Sequence, residues 1–327
     1  MNEQTVCILG GTGFVGRWLA AHLVDHGYRV RVLTRHRQRH RDLLVLPALQ
    51  LKEADVHDPA QLAAQLSGCH SVINLVGILN EKGRDGSGFR RVHADLAAKV
   101  AQACLDTGIQ RLLHMSALNA DANQGASHYL RSKGEGEARV LALAEQGLQV
   151  TIFRPSIIFG PGDNFFNRFG ALLKLSPFVF PLACPDARLT PVYVGEVAQA
   201  FVRTLPDKDS FGQSYELCGP KIYTLKQVVE YTAKVLGLRR RIIGLSDKLS
   251  RLQADIFEYL PGKPFSKDNY DSLQAPSICH QNGLSELGIE PTTIDAVVPT
   301  YLGQHNQRSH YLELRQHAHR PEETGLS

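Results

Sequence analysis

A phenol, an ammonium group and a hydroxyl are the side chains of this sequence best placed to do chemistry. Tyr129 and Lys133 stand four residues apart in Tyr129-Leu130-Arg131-Ser132-Lys133, on one face of a helix expected from about Tyr129 to Gln146. A phenol is a poor base at neutral pH, since its reference pKa is about 10, but the nearby charge of Lys133 favours the phenolate. Tyr129 would then exchange a proton with a carbonyl or alcohol oxygen. Ser116, at the end of an expected strand from Arg111, would hold that same oxygen. A Tyr-x-x-x-Lys pair is common on helix surfaces, so its meaning depends on the frame around it.

That frame begins at the N-terminus. Thr5-Val6-Cys7-Ile8-Leu9 runs into Gly10-Gly11-Thr12-Gly13-Phe14-Val15-Gly16, and apolar residues then recur at helical spacing through Trp18, Leu19 and Leu23 to a stop at Gly27. Strand, glycine turn and helix are the dinucleotide-binding pattern. Gly10 allows the turn, Gly13 lets the backbone approach a pyrophosphate, and Gly16 lets the helix pack on the sheet. Thr12, Phe14 and Val15 complete a first turn whose positive end meets the phosphates.

Strands and helices alternate through the first half, with strands at Tyr28–Thr34, Leu49–Val56, Ser71–Gly77, Arg111–Ser116 and Val150–Phe153. Such alternation predicts a doubly wound parallel sheet of the Rossmann type with a small C-terminal cap. The expected nucleotide-binding domain spans 1–155 and is rejoined by about 188–219; 156–187 and 220–303 form the cap. The tail, 304–327, is rich in His, Gln, Arg and Glu and is expected to be mobile.

The end of the second strand bears on the nucleotide. An acid about twenty residues past the glycines suits NAD, whereas a base suits a 2'-phosphate. Here Arg35 and Arg37 follow Thr34, with no acid before Asp42, so NADP(H) is favoured over NAD(H). The alternative is that these arginines form a solvated loop. Topology places Asp55 and Val56 beside the adenine, and Leu75, Val76 and Gly77 beside the nicotinamide ribose.

Composition narrows the rest. Apolar residues make up 43% and charged residues 21%, and the net charge of +4 is too small to indicate a nucleic-acid partner. Six cysteines without a Cys-x-x-Cys pair point to a reducing compartment and no structural metal. No apolar run reaches membrane-spanning length and the first strand starts close to Met1, so a cytoplasmic protein is expected.

The glycine turn, the Ser116 strand and the Tyr129–Lys133 helix together resemble the short-chain dehydrogenase/reductase superfamily. A narrower resemblance, carried by Tyr129–Glu137 (YLRSKGEGE) and Phe153–Phe169 (FRPSIIFGPGDNFFNRF), is to its atypical branch containing the nucleotide-binding accessory subunit of respiratory complex I and bacterial relatives. The resemblance implies bound NADP(H), Lys133 on the ribose, and Pro155 and Ile158 along the nicotinamide and substrate. It also implies roles in a protein complex or in quinone-related metabolism, and does not by itself imply turnover. Asn164, Phe165, Phe166 and Arg168 would offer aromatic surface and a cation at the cleft mouth.

In the cap, Thr224 caps one helix, and a second from about Ser246 to Tyr259 aligns Leu249, Leu252, Ile256 and Leu260. That face suits its own domain, a partner or a peripheral membrane contact at the inner face of a membrane. A last small element is expected from Leu284 to Ile294. Three readings follow: an NADP-dependent oxidoreductase on a carbonyl, alcohol or quinone-pathway small molecule; an assembly protein with structural NADPH; and a nucleotide-sugar epimerase or dehydratase.

Overall fold

The computed structural model describes residues 4–260 and 263–303; the tail expected at 304–327 lies outside them. In chain order the strands are β1 (Thr5–Leu9), β2 (Arg29–Thr34), β3 (Leu49–Glu53), β4 (Ser71–Asn74), β5 (Arg111–Met115), β6 (Gln149–Pro155), β7 (Ile158–Phe159), β8 (Val179–Leu182), β9 (Arg188–Leu189), β10 (Val192–Tyr193), β11 (Ser214–Leu217), β12 (Tyr223–Thr224) and β13 (Arg241–Gly244). The helices are α1 (Phe14–Asp25), α2 (Pro59–Leu66), α3 (Ser87–Arg90), α4 (Leu96–Asp106), α5 (His128–Ala144), α6 (Phe166–Leu175), α7 (Val194–Thr204), α8 (Leu225–Val235), α9 (Asp247–Phe257), α10 (Lys267–Leu273), α11 (Gly283–Glu286) and α12 (Ile294–Leu302).

Seven strands form one sheet in the order β11-β6-β5-β4-β1-β2-β3, with every neighbouring pair parallel. Strands buried on both faces read as unbroken apolar runs, and Val6 to Leu9 of β1 are all fully buried. On one face Leu19 and Leu23 of α1 pack with Val197 and Phe201 of α7. On the other, Leu62 of α2, Val100 of α4 and Val140 of α5 cover the sheet. Each such side chain contributes about 1.5–3 kcal/mol of burial. This is a Rossmann-type doubly wound sheet, and its strand order reverses between β1 and β4. Ligands of such sheets lie outside the carboxyl ends of the strands at that switch point.

Beyond the sheet, α6, α8 and the parallel pair β8–β13 enclose a separate core around Leu173, Leu182, Val229 and Ile242. A neighbouring cluster joins Phe159 and Phe166 to Ile294 and Val298 of α12. Phe166 is therefore core and not cleft surface. The single element expected at Leu284–Ile294 resolves into α11 and α12; each is too short for its periodicity to stand out.

The arginine-rich stretch keeps Arg35, Arg37 and Arg39 exposed, while Arg37–Val45 winds into 3₁₀ turns that bury Leu43. One further expectation is corrected. Cys218 and Cys279 form a disulfide across 61 positions of sequence, against the reading of reduced cysteines. Distance along the chain did not keep them apart, because the segment leaving α10 runs beside β9, where Ser277 bridges Leu189, and brings Cys279 to the residue that follows β11. Helix α9 buries its small residues, Ser250 and Ala254, and leaves Leu249, Leu252 and Ile256 about half exposed.

Candidate functional site

Helix α5 carries Tyr129 and Lys133, and its position is determined from every side. Ser127 caps its start, accepting from the Leu130 N–H at 3.1 Å. From the cap, Asp268 accepts from the His128 N–H at 2.7 Å and from that of Tyr129, and Ser272 donates to the Ser127 hydroxyl. A Cβ on Gly134 would lie 2.4 Å from the Ala122 nitrogen, and one on Gly136 2.2 Å from the His93 oxygen. The helix thus meets its neighbours backbone to backbone. Further along, Arg154 of β6 clamps the buried Glu137 through two nitrogens.

Within this frame the three reactive candidates occupy one corner. Lys133 Nζ donates to the Met115 carbonyl at 3.0 Å, and burial pushes its pKa down to about 8. Burial, followed by the charge of Asp268, raises Tyr129 to about 12, so Tyr129 is a neutral phenol near pH 7. Burial and Asp268 thus act against the phenolate that a neighbouring positive charge is expected to favour. The Tyr129 ring lies edge-on to His93, with centroids 5.3 Å apart, and to Phe89 at 6.0 Å. Ser116, one residue past Met115, donates its N–H to Phe153, yet its buried hydroxyl has no partner among the described residues. Buried hydroxyls rarely stay unpaired, so this one is poised for an oxygen or a donor from outside the chain.

Beneath this corner lies a chain of hydrogen bonds the sequence did not reveal. The Ile78 N–H donates to His93 Nε2 at 3.0 Å, Nδ1 pairs with Ser132 Oγ at 2.8 Å, and Ser132 donates to the Tyr129 carbonyl. Burial, then the charge of Lys133, pushes His93 down to about 2, so the ring is neutral and carries its proton on Nδ1. Asn74 spans to His114 Nδ1 at 3.2 Å while accepting from the Val76 N–H. Asp268 was equally hidden, since it lies 139 residues from Tyr129 and is brought back by the cap. In the sequence, the Phe89–His93 interval of four was the one available signal.

The glycine turn faces the same rim. Gly10 has φ +79°, in the left-handed region, and a Cβ there would sit 3.0 Å from the Leu75 backbone. A Cβ on Gly16 would lie 2.4 Å from the Gly10 oxygen, so any side chain would lift α1 off the turn. Gly13 is exposed at the start of α1 with no side-chain cap, leaving the first-turn N–H groups open. Thr12 and Phe14 are half-buried, whereas the Val15 and Leu75 side chains lie in the core and bring only backbone to the rim. Gly77 is exposed, and a Cβ there would lie 3.3 Å from Lys133 Nζ.

At the ends of β2 and β3, Arg35, Arg37 and Asp55 are exposed and Val56 is half-buried. Strand register sets Glu53 beside Thr34, and Glu53 accepts from the Arg37 N–H at 3.0 Å. An acid thus lies beside Thr34 in space, although none follows it in sequence before Asp42. Burial holds the His57 imidazole below its ordinary value, as do Arg91, Lys99 and Arg35 against the opposing charge of Asp55. After β6, the Pro155 carbonyl accepts from Leu118 and Ile158 is half-buried. Asp163 ties this turn together by accepting from Gly160, Phe165 and Asn167. Arg168 donates to the Lys263 carbonyl. A cavity of about 400 Å³ opens between residues 80–89 with the start of α5 on one side and α9 and α10 on the other. It is lined by Asn80, Arg84, Phe89, His128, Lys263 and Asp268, beside Tyr129 but without Ser116 or Lys133 in its wall.

Residues 6–218 match the family described as the NAD dependent epimerase/dehydratase family. The mitochondrial NADH dehydrogenase [ubiquinone] 1 alpha subcomplex subunit 9 of Mus musculus is 29% identical over 304 residues, covering 88% of this chain and 77% of that protein. A ceramide reductase of Caulobacter vibrioides is 32% identical over 255 residues, covering 74% of each. Among solved structures, gox2253 superposes with a TM-score of 0.75 at 20% identity, over 94% of this chain and 99% of that one.

Proposed function

The chain belongs to the NAD dependent epimerase/dehydratase family, and from that premise we propose that it is an NADP(H)-dependent oxidoreductase that reduces a carbonyl on a small molecule to an alcohol. The observation carrying this reading is the unpartnered buried Ser116 hydroxyl, one residue past the Met115 carbonyl that holds Lys133, with Tyr129 one turn before Lys133 on α5. The Ser116 O–H donates to the substrate carbonyl oxygen and orients it. Tyr129 releases its proton to that oxygen as negative charge develops there, and the Lys133 ammonium stabilises the phenolate left behind. The nucleotide, when bound, supplies the hydride.

The residues present fit that nucleotide. Gly10 and Gly16 let the turn close against neighbouring backbone, the exposed Gly13 leaves the first turn of α1 open to a pyrophosphate, and Gly77 leaves the Lys133 ammonium accessible to a ribose. Arg35, in the electropositive surroundings of His57, favours a 2'-phosphate, while Glu53 is engaged by the Arg37 N–H. The cavity beside the start of α5 takes the rest of the substrate, and residues 1–155 with 188–219 act as the nucleotide domain. The Caulobacter relative, named a reductase, agrees with this direction of reaction.

The test is NADPH and NADH consumption over a panel of long-chain ketones, aldehydes and quinones, with Tyr129→Phe alongside. Turnover with NADPH that Tyr129→Phe abolishes while nucleotide still binds is the expected result. If no carbonyl is turned over and NADPH stays bound through purification, a second reading takes its place, in which the nucleotide is structural and the protein sits in a complex. The half-exposed apolar face of α9 and the complex I relative favour that second reading.

A further inference from the structure

The cap carries an apolar surface that neither the nucleotide nor the carbonyl chemistry uses. In the parallel pair β8–β13, Val179 lies opposite Arg241, Phe180 opposite Ile242, and Pro181 opposite Ile243. Side chains alternate across such a ribbon. Ile242 is buried and Phe180 packs against the cap core, whereas Val179, Pro181, Arg241 and Ile243 are all exposed. Leu175, the last residue of α6, and Phe178 just beyond it extend this face, 82% and 79% exposed. The Arg241 N–H donates to the Phe178 carbonyl and Arg240 Nε to that of Leu173, which holds both segments side by side.

Charge identifies the occupant. Residues 164–185 and 231–246 contain no Asp or Glu but include Lys174, Lys234 and the run Arg239-Arg240-Arg241. Lys174, Arg239 and Arg241 are exposed, and none forms a salt bridge among the described residues. Helix α9, the other exposed apolar face, differs: Asp247 and Asp255 balance Lys248 and Arg251 there, so it carries no preference of sign. Asp186 and Asp247 lie at the other end of the ribbon, beside Pro185 and Leu245, so the end that carries Leu175 and Phe178 has Lys174, Arg239 and Arg241 beside it. Large apolar side chains next to cations suit the head-group boundary of an anionic bilayer, where hydrocarbon burial and phosphate attraction add. No helix among the described residues is long and apolar enough to cross a membrane. We propose that the β8–β13 ribbon and the end of α6 dock peripherally on an anionic lipid surface. Leu175, Phe178 and Ile243 enter the interface, and Lys174, Arg239 and Arg241 meet the lipid phosphates. The proposal stands apart from the reductase reading and survives its failure.

The full chain is sedimented with vesicles of phosphatidylcholine alone and of phosphatidylcholine with phosphatidylglycerol, at low and at physiological salt. Wild type is expected on the anionic vesicles and to weaken as salt rises. At about 1 kcal/mol per cation, Arg239→Glu with Arg241→Glu lowers the partition coefficient by roughly thirtyfold or more. Leu175→Ser with Phe178→Ser lowers it by at least about tenfold. Both variants alter exposed side chains, and circular dichroism and NADPH titration verify that each is folded. Equal binding of wild type to both vesicle types, or variants that bind like wild type, overturns the proposal. So does a dimer seen by light scattering that Leu175→Ser with Phe178→Ser dissolves while wild type ignores vesicles, since the occupant is then a second copy of the chain.

Discussion

Two stretches of one rim, both at the carboxyl ends of the parallel strands, are built in opposite ways. At the Ser116, Tyr129 and Lys133 corner, Ser116 is 2% and Lys133 4% exposed, and α5 is fixed by Asp268, by the Arg154–Glu137 clamp and by backbone contact at Gly134 and Gly136. At the Thr34 to Val56 edge, Arg35, Arg37 and Asp55 are exposed, and the Arg37 N–H to Glu53 is a backbone tie rather than a contact of the guanidinium. Fixed groups can stabilise developing charge without reorganising, whereas flexible exposed cations supply attraction and tolerate replacement. Losses at the corner should therefore be large and fall on turnover. Those at the edge should be small and fall on binding.

Ser116→Ala gives the largest separation. It removes one pre-aligned donor to the carbonyl oxygen, so kcat for the reductase should fall by roughly 10²–10³ with little change in NADPH affinity. Steady-state kinetics read against calorimetric nucleotide binding check this, and an equal loss in both would mean the corner is a binding site only. Next is Gly136→Ala, whose methyl would press on the His93 carbonyl. It should destabilise by about 1–3 kcal/mol, as seen in thermal unfolding, and disturb Tyr129 through His93, whose ring Tyr129 meets. A neutral result would mean that α5 is looser than its contacts imply. Arg35→Ala at the edge should cost roughly tenfold in NADPH affinity, the worth of one charge-assisted hydrogen bond, and leave NADH unchanged. Parallel losses for both nucleotides would remove Arg35 from the 2'-phosphate and turn attention to Glu53.

The same division governs what could be read from the sequence. Alternating apolar runs and the turn at Gly10, Gly13 and Gly16 specify the sheet, because burial on both faces and a left-handed glycine leave local traces. The Tyr129–Lys133 interval is likewise local. What stayed hidden depends on return of the chain from far away. Asp268 reaches α5 only through the cap, Glu53 meets Thr34 only through strand register, and Cys279 meets Cys218 only where the segment after α10 has run beside β9. His93 was concealed differently: within a helical segment it looks like any polar residue until its neighbours bury it. The glycines of the Tyr129–Glu137 segment matched a family pattern, but their reason, direct backbone contact with Ala122 and His93, belongs to tertiary structure.

Lys133 offers the finest test, because one proton acts on stability and on binding with opposite sign. Its folded pKa of about 8 lies below the ordinary lysine value of 10.5, so the unfolded chain holds the proton over a range where the folded one has released it. Unfolding then takes up protons, and this residue's contribution to stability rises as pH increases through 8, by at most about 1.4 kcal/mol per unit. Nucleotide binding runs the other way, since the ammonium that would meet a ribose is lost over the same interval. Between about pH 8 and 9, NADPH affinity should fall a few-fold while the thermal midpoint of the nucleotide-free protein rises relative to Lys133→Met, which lacks both responses. Buried Cys104, raised to about 12, opposes the rise only once free thiols in the unfolded chain ionise, which confines the useful window to its lower end. If wild type and Lys133→Met instead show the same pH slope in affinity, the ammonium does not face the nucleotide. The proton held at this corner would then have to come from Tyr129 without help from Lys133.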